Sequence, residues 1–159
     1  MSDRLQNALI LISVLGCGLV GGVFFAFSSF VMGALARLPT AQGIAAMQSI
    51  NVVVINPVFL GVFLGMGATC SALMVTGLRS AFGPRELWII AAGILYLAGS
   101  VLVTMLCNVP RNDTLAVLDP RAAEAASAWA RYVSEWTLWN HVRAAASIGA
   151  AACLMVAWR

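Results

Sequence analysis

Charged residues are absent from four long stretches of this 159-residue chain, and no other feature constrains its fold as strongly. These stretches lie between Arg4 and Arg37, between Arg37 and Arg79, between Glu86 and Arg111, and between Arg143 and Arg159. Because a membrane-spanning helix needs about 20 predominantly apolar residues, they predict four spans. The composition agrees, since 62% of the residues are hydrophobic and only 9% are charged, against about a quarter charged in a soluble domain.

We therefore predict an all-α fold, an integral membrane four-helix bundle that forms a single transmembrane domain over residues 1–159. The spans are expected near residues 8–35, 53–78, 87–107 and 139–158. The first apolar run is too long for a signal peptide and is interpreted as a retained span. An additional amphipathic helix is predicted before the fourth span, with Asp119 as its N-cap and Pro120 at its first helical position.

Four spans would place both chain ends on one side of the membrane, here called the first face. The connections at 37–51 and 108–135 would then lie on the opposite side, the second face. The first face concentrates its arginines in few residues, so the positive-inside rule indicates that it is cytoplasmic. We expect a multi-pass protein of the bacterial inner (plasma) membrane with cytoplasmic N- and C-termini.

The remaining composition narrows the expected partners to the lipid bilayer and lipophilic small molecules. The nine basic residues, all arginines, are scattered rather than clustered, so nucleic acid is not an expected partner. In the first two spans, Gly18 and Gly22, and likewise Gly61 and Gly65, have the spacing that permits close helix contact in lipid. We expect these two spans to pack tightly, and the same glycine-rich faces would allow a homo-oligomer.

Polar side chains gather in four segments that the topology brings to the second face: "MQSIN", "INPVF", "NVPRND" and "WNHVR". They supply Gln48, Asn51, Asn56, Asn108, Arg111, Asn112, Asn140, His141 and Arg143. An unsatisfied amide in hydrocarbon costs several kcal/mol, so these groups must bond to one another, reach headgroup water or line a cavity. Taken singly, each has a structural explanation as a cap, turn residue or interface anchor, but together they indicate a pocket.

Helical geometry places Trp136, Asn140 and Arg143 within less than a quarter turn of one another, with Trp139 just beside them. His141, the only histidine, is rotated from Asn140 by about a quarter turn. The sequence leaves open whether its ring faces the same pocket. In the first span, Phe27 belongs to the run "FFAFSSF", which would supply further aromatic wall.

The residues available restrict the chemistry of such a pocket. One histidine, four dispersed cysteines and no carboxylate in any span provide no metal-ligand set, so no metal site and no cofactor are predicted, although a haem with His141 as its axial ligand stays open. A nucleophile with a paired base has no candidate. A neutral imidazole as general base, with Asn and Arg donors that stabilise an enolate or phenolate, is the minimal set.

With these residues the chain resembles the anthrone oxygenase family of small four-helix integral membrane proteins, formerly classed as a domain of unknown function. The resemblance is carried by "GVFFAFSSFVMGAL", by "AMQSIN" followed by "NPVF", by "NVPRNDTLAVLDP" and by "WTLWNHVRAAAS". It implies oxidation of an anthrone, or a similar lipophilic aromatic, to a quinone by molecular oxygen. The acidic methylene of an anthrone yields an electron-rich enolate that can react with oxygen without metal or flavin.

On this resemblance His141 is the expected base, and Asn140, Asn108 and Arg143 are the expected oxyanion donors. Trp136 and Trp139 would form walls for a flat substrate. The other candidate substrate-binding residues are Gln48, Asn51, Asn56, Arg111, Asn112 and Phe27. The alternative is a non-catalytic membrane protein that binds a lipophilic ligand or a partner helix. A proton-coupled transporter ranks last, because such transporters usually need a carboxylate within a span.

Overall fold

The computed structural model describes residues 3–80 and 83–158, and all regular structure in these ranges is helical. The five helices are α1 (Asp3–Ala36), α2 (Thr40–Val53), α3 (Pro57–Arg79), α4 (Pro84–Ala116) and α5 (Ala125–Ala157). The predicted all-α fold is confirmed.

Three helices, α1, α3 and α4, are long and apolar enough to cross a membrane. This agrees with a membrane protein and with the first three predicted spans. α5 does not meet the same criterion, because Arg131, Glu135, His141 and Arg143 lie in its first two thirds. Its crossing of the membrane therefore stays a prediction.

The four long helices pack in a ring, in which α1 contacts α3 and α5, and α4 contacts α3 and α5. Their main core contains Cys17, Leu73, Tyr96 and Ala150, all almost fully buried. A second core lies at the second-face end, where α2 packs against the end of α1 and the beginning of α5. The candidate site described below lies where these two cores meet.

The beginning of α5 differs from the prediction. The expected amphipathic helix and the fourth span form one continuous helix of 33 residues. It begins at Ala125 rather than at Asp119 and Pro120. The Asp119 side chain instead accepts a hydrogen bond from the Arg121 backbone N–H at 2.9 Å and stabilises a turn.

The end of α4 also differs from the prediction, because the helix continues through Pro110 to Ala116. Proline usually ends a helix, since its ring collides with the preceding turn and it lacks an N–H. Here a π-helical segment, Thr104–Asn108, ends two residues before Pro110. The wider π turn changes the carbonyl positions in front of the proline, and the helix continues.

The helix α2 is a new feature of the connection between the first two spans. It holds its position through Gln48, whose Nε2 donates to the Leu115 carbonyl at 2.8 Å and to the Leu118 carbonyl at 3.0 Å. These two carbonyls are at the end of α4 and just beyond it. The short helix is thereby joined to α4 across the second-face end of the ring.

The glycine pairs do not make the predicted contact between the first two spans. A Cβ atom added at Gly18, Gly22, Gly61 or Gly65 would meet no other atom within 4 Å. α1 instead approaches α3 at Gly16, where an added Cβ would collide with the Met66 side chain, and α5 at Gly21, where it would lie 3.2 Å from the Ile148 backbone nitrogen. Small residues therefore do permit close helix contact, including contact between the first two spans, but at positions outside the recognised glycine pairs.

Candidate ligand-binding cavity

A cavity of about 260 Å³ lies between all five helices at the second-face end. Its aromatic lining consists of Phe24, Phe27, Phe59, Phe63 and Trp136. Its polar lining consists of Asn51, Thr104, Asn112 and Arg143, and aliphatic side chains complete the wall. A mostly apolar cavity with a few convergent polar groups is the usual form of a small-molecule site.

The aromatic side chains of this cavity hold one another in place. The Phe27 and Trp136 ring centroids are 5.8 Å apart, and those of Phe24 and Phe63 are 6.2 Å apart in an edge-to-face arrangement. Phe59 stacks on Phe63 at 5.9 Å with nearly parallel planes. These pairs come from α1, α3 and α5, so the walls are fixed by contacts between helices.

The one charged group in the cavity lining is Arg143, which is only 5% exposed. Its Nη2 donates to Asn140 Oδ1 at 2.7 Å, and its Nη1 donates to Thr104 Oγ1 at 3.2 Å. The guanidinium lies 4.2 Å from the Phe24 ring centroid and 5.0 Å from that of Trp136. Its buried Nε has no hydrogen-bond partner.

These contacts compensate the buried guanidinium only with neutral groups. Among the described residues, no carboxylate forms an ion pair with Arg143. Removing a cation from water is costly unless an opposite charge or several good hydrogen bonds replace the water. The guanidinium therefore presents an uncompensated positive charge to the cavity.

Asn140 positions this guanidinium and is itself fully buried. Its Nδ2 donates to the Phe24 carbonyl and to Ser28 Oγ, both at 2.7 Å, while its Oδ1 accepts from Arg143. Ser28 belongs to the π-helical segment Phe27–Val31 of α1. Such π segments are frequent at functional sites, and those of α1 and α4 both border this cavity.

A second polar group surrounds Asn112. Its Oδ1 accepts from the Tyr132 hydroxyl at 2.9 Å and from Trp136 Nε1 at 2.8 Å, and Asn51 Nδ2 donates to the same hydroxyl at 3.4 Å. Burial raises the pKa of the Tyr132 hydroxyl, and the hydrogen bond from Asn51 only partly opposes this change. The phenol therefore stays neutral and fixes Trp136 rather than serving as a base.

Comparison with known proteins identifies the family. A family model described as anthrone oxygenase matches residues 58–153, which is more than half of the chain. The chain belongs to the anthrone oxygenase family. No curated protein and no solved structure matches it.

The family match extends from the beginning of α3 to near the end of α5. It therefore includes the cavity residues Phe59, Phe63, Thr104, Trp136 and Arg143. The motif "GVFFAFSSFVMGAL" and all of α2 precede the matched range.

The structure does not bring His141 to the cavity of this anthrone oxygenase family member. The residue is exposed and lines shallow depressions between α1 and α5, beside Ser28, Ser29 and Thr137. One step along a helix rotates the side chain by about 100°, so the residue after the inward-facing Asn140 points outward. From there it cannot take a proton directly from a ligand in the cavity, and a haem bound to it would lie outside the cavity.

Three other predicted site residues have structural roles. Asn56 is the N-cap of α3, where its Oδ1 accepts from the Val58 and Phe59 backbone N–H groups at 3.1 and 3.0 Å. Arg111 forms an ion pair with Glu135 at 2.9 Å. Gln48 joins α2 to α4 as described above.

The remaining predicted residues divide between the cavity and its support. Phe27, Asn51, Asn112, Trp136 and Arg143 line the cavity. Asn108 lies behind it, where its Nδ2 donates to the Trp136 carbonyl at 3.2 Å. Trp139 is half-buried and lies outside the lining.

Sequence reasoning missed Phe59, Phe63 and Thr104, whereas Phe24 belongs to the run "FFAFSSF" that is predicted to supply aromatic wall. Phe24 lies one turn before Phe27, and this spacing within "FFAF" is a signal that places both rings on one face of α1. Thr104 carries no comparable signal, because a threonine in a span usually bonds to its own helix. It does so here with the Ser100 carbonyl at 2.8 Å, and also receives the bond from Arg143.

No group of three or more His, Cys, Asp or Glu side chains that could hold a metal ion occurs within residues 3–80 and 83–158. Cys17 and Cys70 approach each other, with their sulfur atoms 3.9 Å apart in the main core. They lie outside the lining of the cavity.

Proposed function

We propose that this protein is a membrane oxygenase that uses molecular oxygen to oxidise a lipophilic, anthrone-like aromatic substrate. The proposal is carried by the Arg143 guanidinium, which lies at the edge of a cavity walled by Phe and Trp rings. Flat fused rings complement these walls. The ketone oxygen of an anthrone becomes negative when the acidic methylene loses a proton, and the guanidinium would stabilise that charge.

The reaction balances without a reductant. The methylene loses a proton to give the enolate, whose carbon forms a bond to O₂ and yields, after protonation, a hydroperoxide. Loss of water then breaks the O–O bond and the remaining C–H bond and leaves a carbonyl group. One methylene and one O₂ give one carbonyl and one water, so O₂ is both the oxidant and the source of the new oxygen atom.

In this proposal the protein contributes charge stabilisation rather than a side-chain base. The cavity lining contains no His, Asp or Glu, so the substrate proton passes to water at the cavity mouth. Arg143 is the proposed catalytic residue, since it would touch the developing oxyanion. Asn140 and Asn108 are positioning residues, which hold Arg143 and the Trp136 backbone.

The test is oxidation of an anthrone under air by purified protein, followed as quinone formation. Arg143→Met should lower kcat/KM by about a hundred-fold, as expected for removal of one oxyanion donor. Arg111→Met is the matched control, since Arg111 lies at the same end of the molecule but pairs with Glu135, and it should keep the wild-type rate. An Arg143→Met variant with wild-type kcat/KM would refute the proposed role of the guanidinium.

The same assay distinguishes two further possibilities. His141→Ala should retain the wild-type rate because the imidazole lies outside the cavity. A large loss of quinone formation in this variant would indicate that His141 acts as the base. A wild-type protein that binds the anthrone without producing quinone would instead be the non-catalytic binding protein of the alternative hypothesis.

We further propose that the protein resides in a bacterial inner membrane with its termini cytoplasmic, so that the cavity faces the opposite side. The argument is the concentration of Arg4, Arg79 and Arg85 near the first face. A C-terminal fusion to a reporter that is active only in the cytoplasm should be active. A correctly inserted fusion protein without reporter activity would indicate the opposite orientation.

A further inference from the structure

We infer that the cavity selects its aromatic ligand as an anion: a planar fused-ring molecule with an ionised oxygen, such as a phenolate, enolate or carboxylate. The negative oxygen would lie against Arg143, and the rings would lie among the Phe and Trp walls. The inference rests on the proposed function in that it concerns the same cavity, but it requires no turnover. It makes charge, and not only hydrophobicity and shape, the basis of ligand choice.

The first argument is the charge of the cavity wall. Arg143 is buried, and its described partners, Asn140 and Thr104, are both neutral. The acids of the described residues lie elsewhere: Asp113, Asp119 and Glu124 are exposed, and Glu135 pairs with Arg111. Asp3 and Glu86 lie in the first turns of α1 and α4, at the opposite end of the bundle. A buried cation without a counter-ion favours any ligand that supplies one.

The second argument is the hydrogen-bonding capacity that remains. Arg143 uses Nη1 and Nη2 for one hydrogen bond each, so each of these nitrogens keeps a second N–H. A guanidinium carries five N–H donors, so it retains donors for an anionic oxygen. Hydrogen bonds between ionised partners are about twice as strong as those between neutral groups.

The third argument is the shape and chemistry of the remaining wall. The aromatic lining is set by interlocked pairs such as Phe59 and Phe63, whose planes are nearly parallel. A cavity of about 150 Å³ can hold benzene, so about 260 Å³ suits two or three fused rings. A small inorganic anion would leave the apolar walls unfilled, and a neutral arene would leave the guanidinium without a counter-ion.

The inference is tested by equilibrium binding to detergent-purified protein without oxygen, measured by calorimetry. The probes are anthracene carboxylate, its neutral counterpart anthracene methanol, and dodecanoate, which has the charge but no rings. Wild-type protein should bind anthracene carboxylate at least about ten-fold more tightly than anthracene methanol, a ratio that corresponds to the gain of one charged contact. It should also bind the carboxylate about ten-fold more tightly than dodecanoate, because dodecanoate lacks the rings that fill the aromatic walls. Equal affinity for the carboxylate and the alcohol would overturn the charge argument, and equal affinity for dodecanoate would overturn the preference for rings.

Variants assign the preference to Arg143. Arg143→Met should reduce the preference for carboxylate over alcohol to near unity, whereas Arg111→Met should leave it unchanged. A preference that survives Arg143→Met would contradict the inference. If that variant does not fold, an ionisable probe with wild-type protein decides: the affinity for anthracene carboxylate should fall as the pH is lowered through the probe's own pKa, and an affinity that does not change with pH would contradict the inference.

The outcome of this test is separable from that of the proposed function. Because oxygen is absent, a protein that never oxidises anthrones can still show the charge preference. A protein that forms quinone but binds both anthracene probes equally would retain the proposed function and lose this inference.

Discussion

At the scale of single residues, Arg143 and Asn140 act as one unit. Asn140 donates its amide hydrogens to α1 and leaves its carbonyl oxygen for the guanidinium, so the asparagine fixes the position of the cation without neutralising it. An amide is nearly isosteric with a carboxylate but carries no charge. The identity of this one side chain therefore decides whether Arg143 is available to a ligand.

Asn140→Asp should supply Arg143 with an internal counter-ion. The affinity for anthracene carboxylate is then expected to fall by about ten-fold or more, because the ligand would displace or oppose an existing ion pair. Asn7→Asp is the matched control, since Asn7 Oδ1 accepts a hydrogen bond from Arg85 at the opposite end of the bundle. Both dissociation constants are measured by calorimetry. Unchanged affinity in Asn140→Asp would contradict the claim that the neutral Asn140 side chain keeps Arg143 available to an anionic ligand.

At the scale of helices, contacts depend on a few glycines at which backbones approach closely. Gly99 is the clearest case between α4 and α5: a Cβ atom added there would lie 2.5 Å from the Ala146 Cβ. A methyl group directly attached to the backbone cannot rotate away. The two helices would have to separate, and this movement would alter the positions of Thr104 and Arg143 across the cavity.

Gly99→Ala should consequently destabilise the protein by about 1–3 kcal/mol, the usual cost of overpacking, despite the better helix propensity of alanine. Gly61→Ala is the control, because an added Cβ there meets no atom within 4 Å. The midpoint of thermal unfolding in detergent should fall for the first variant and hold or rise for the second. Equal midpoints would show that α4 and α5 adapt to the methyl group without cost.

The helices also show how far the sequence predicts this fold and site. The stretches without charged residues predict α1, α3 and α4, because hydropathy identifies long apolar helices directly. They do not predict that α4 continues past Pro110, which depends on a π segment. Nor do they predict α2, whose position depends on hydrogen bonds from the Gln48 side chain to distant carbonyls. The arc of Trp136 and Arg143 is predictable from helical spacing, whereas the outward direction of His141 depends on how α5 is rotated against α1.

At the scale of the whole molecule, contacts between α1 and α5 show the course of α5. Asn140 bonds to the Phe24 carbonyl and to Ser28 Oγ, whereas Ile148, further along α5, lies against Gly21, which is earlier in α1. α5 therefore runs antiparallel to α1 along its length. With 33 residues it is about 50 Å long, which exceeds the hydrocarbon thickness of a bilayer.

This packing predicts that α5 crosses the membrane with α1, although its polar residues lower its hydropathy. Starting from a cysteine-free variant, single cysteines at Ser80, Ser127 and Trp158, all exposed, report the side on which each lies through labelling by a membrane-impermeant maleimide. Ser80→Cys and Trp158→Cys should be labelled from the same side, and Ser127→Cys from the other. If Trp158→Cys and Ser127→Cys are labelled together, α5 does not cross. The cavity would then lie under a surface helix rather than inside a bundle of four spans.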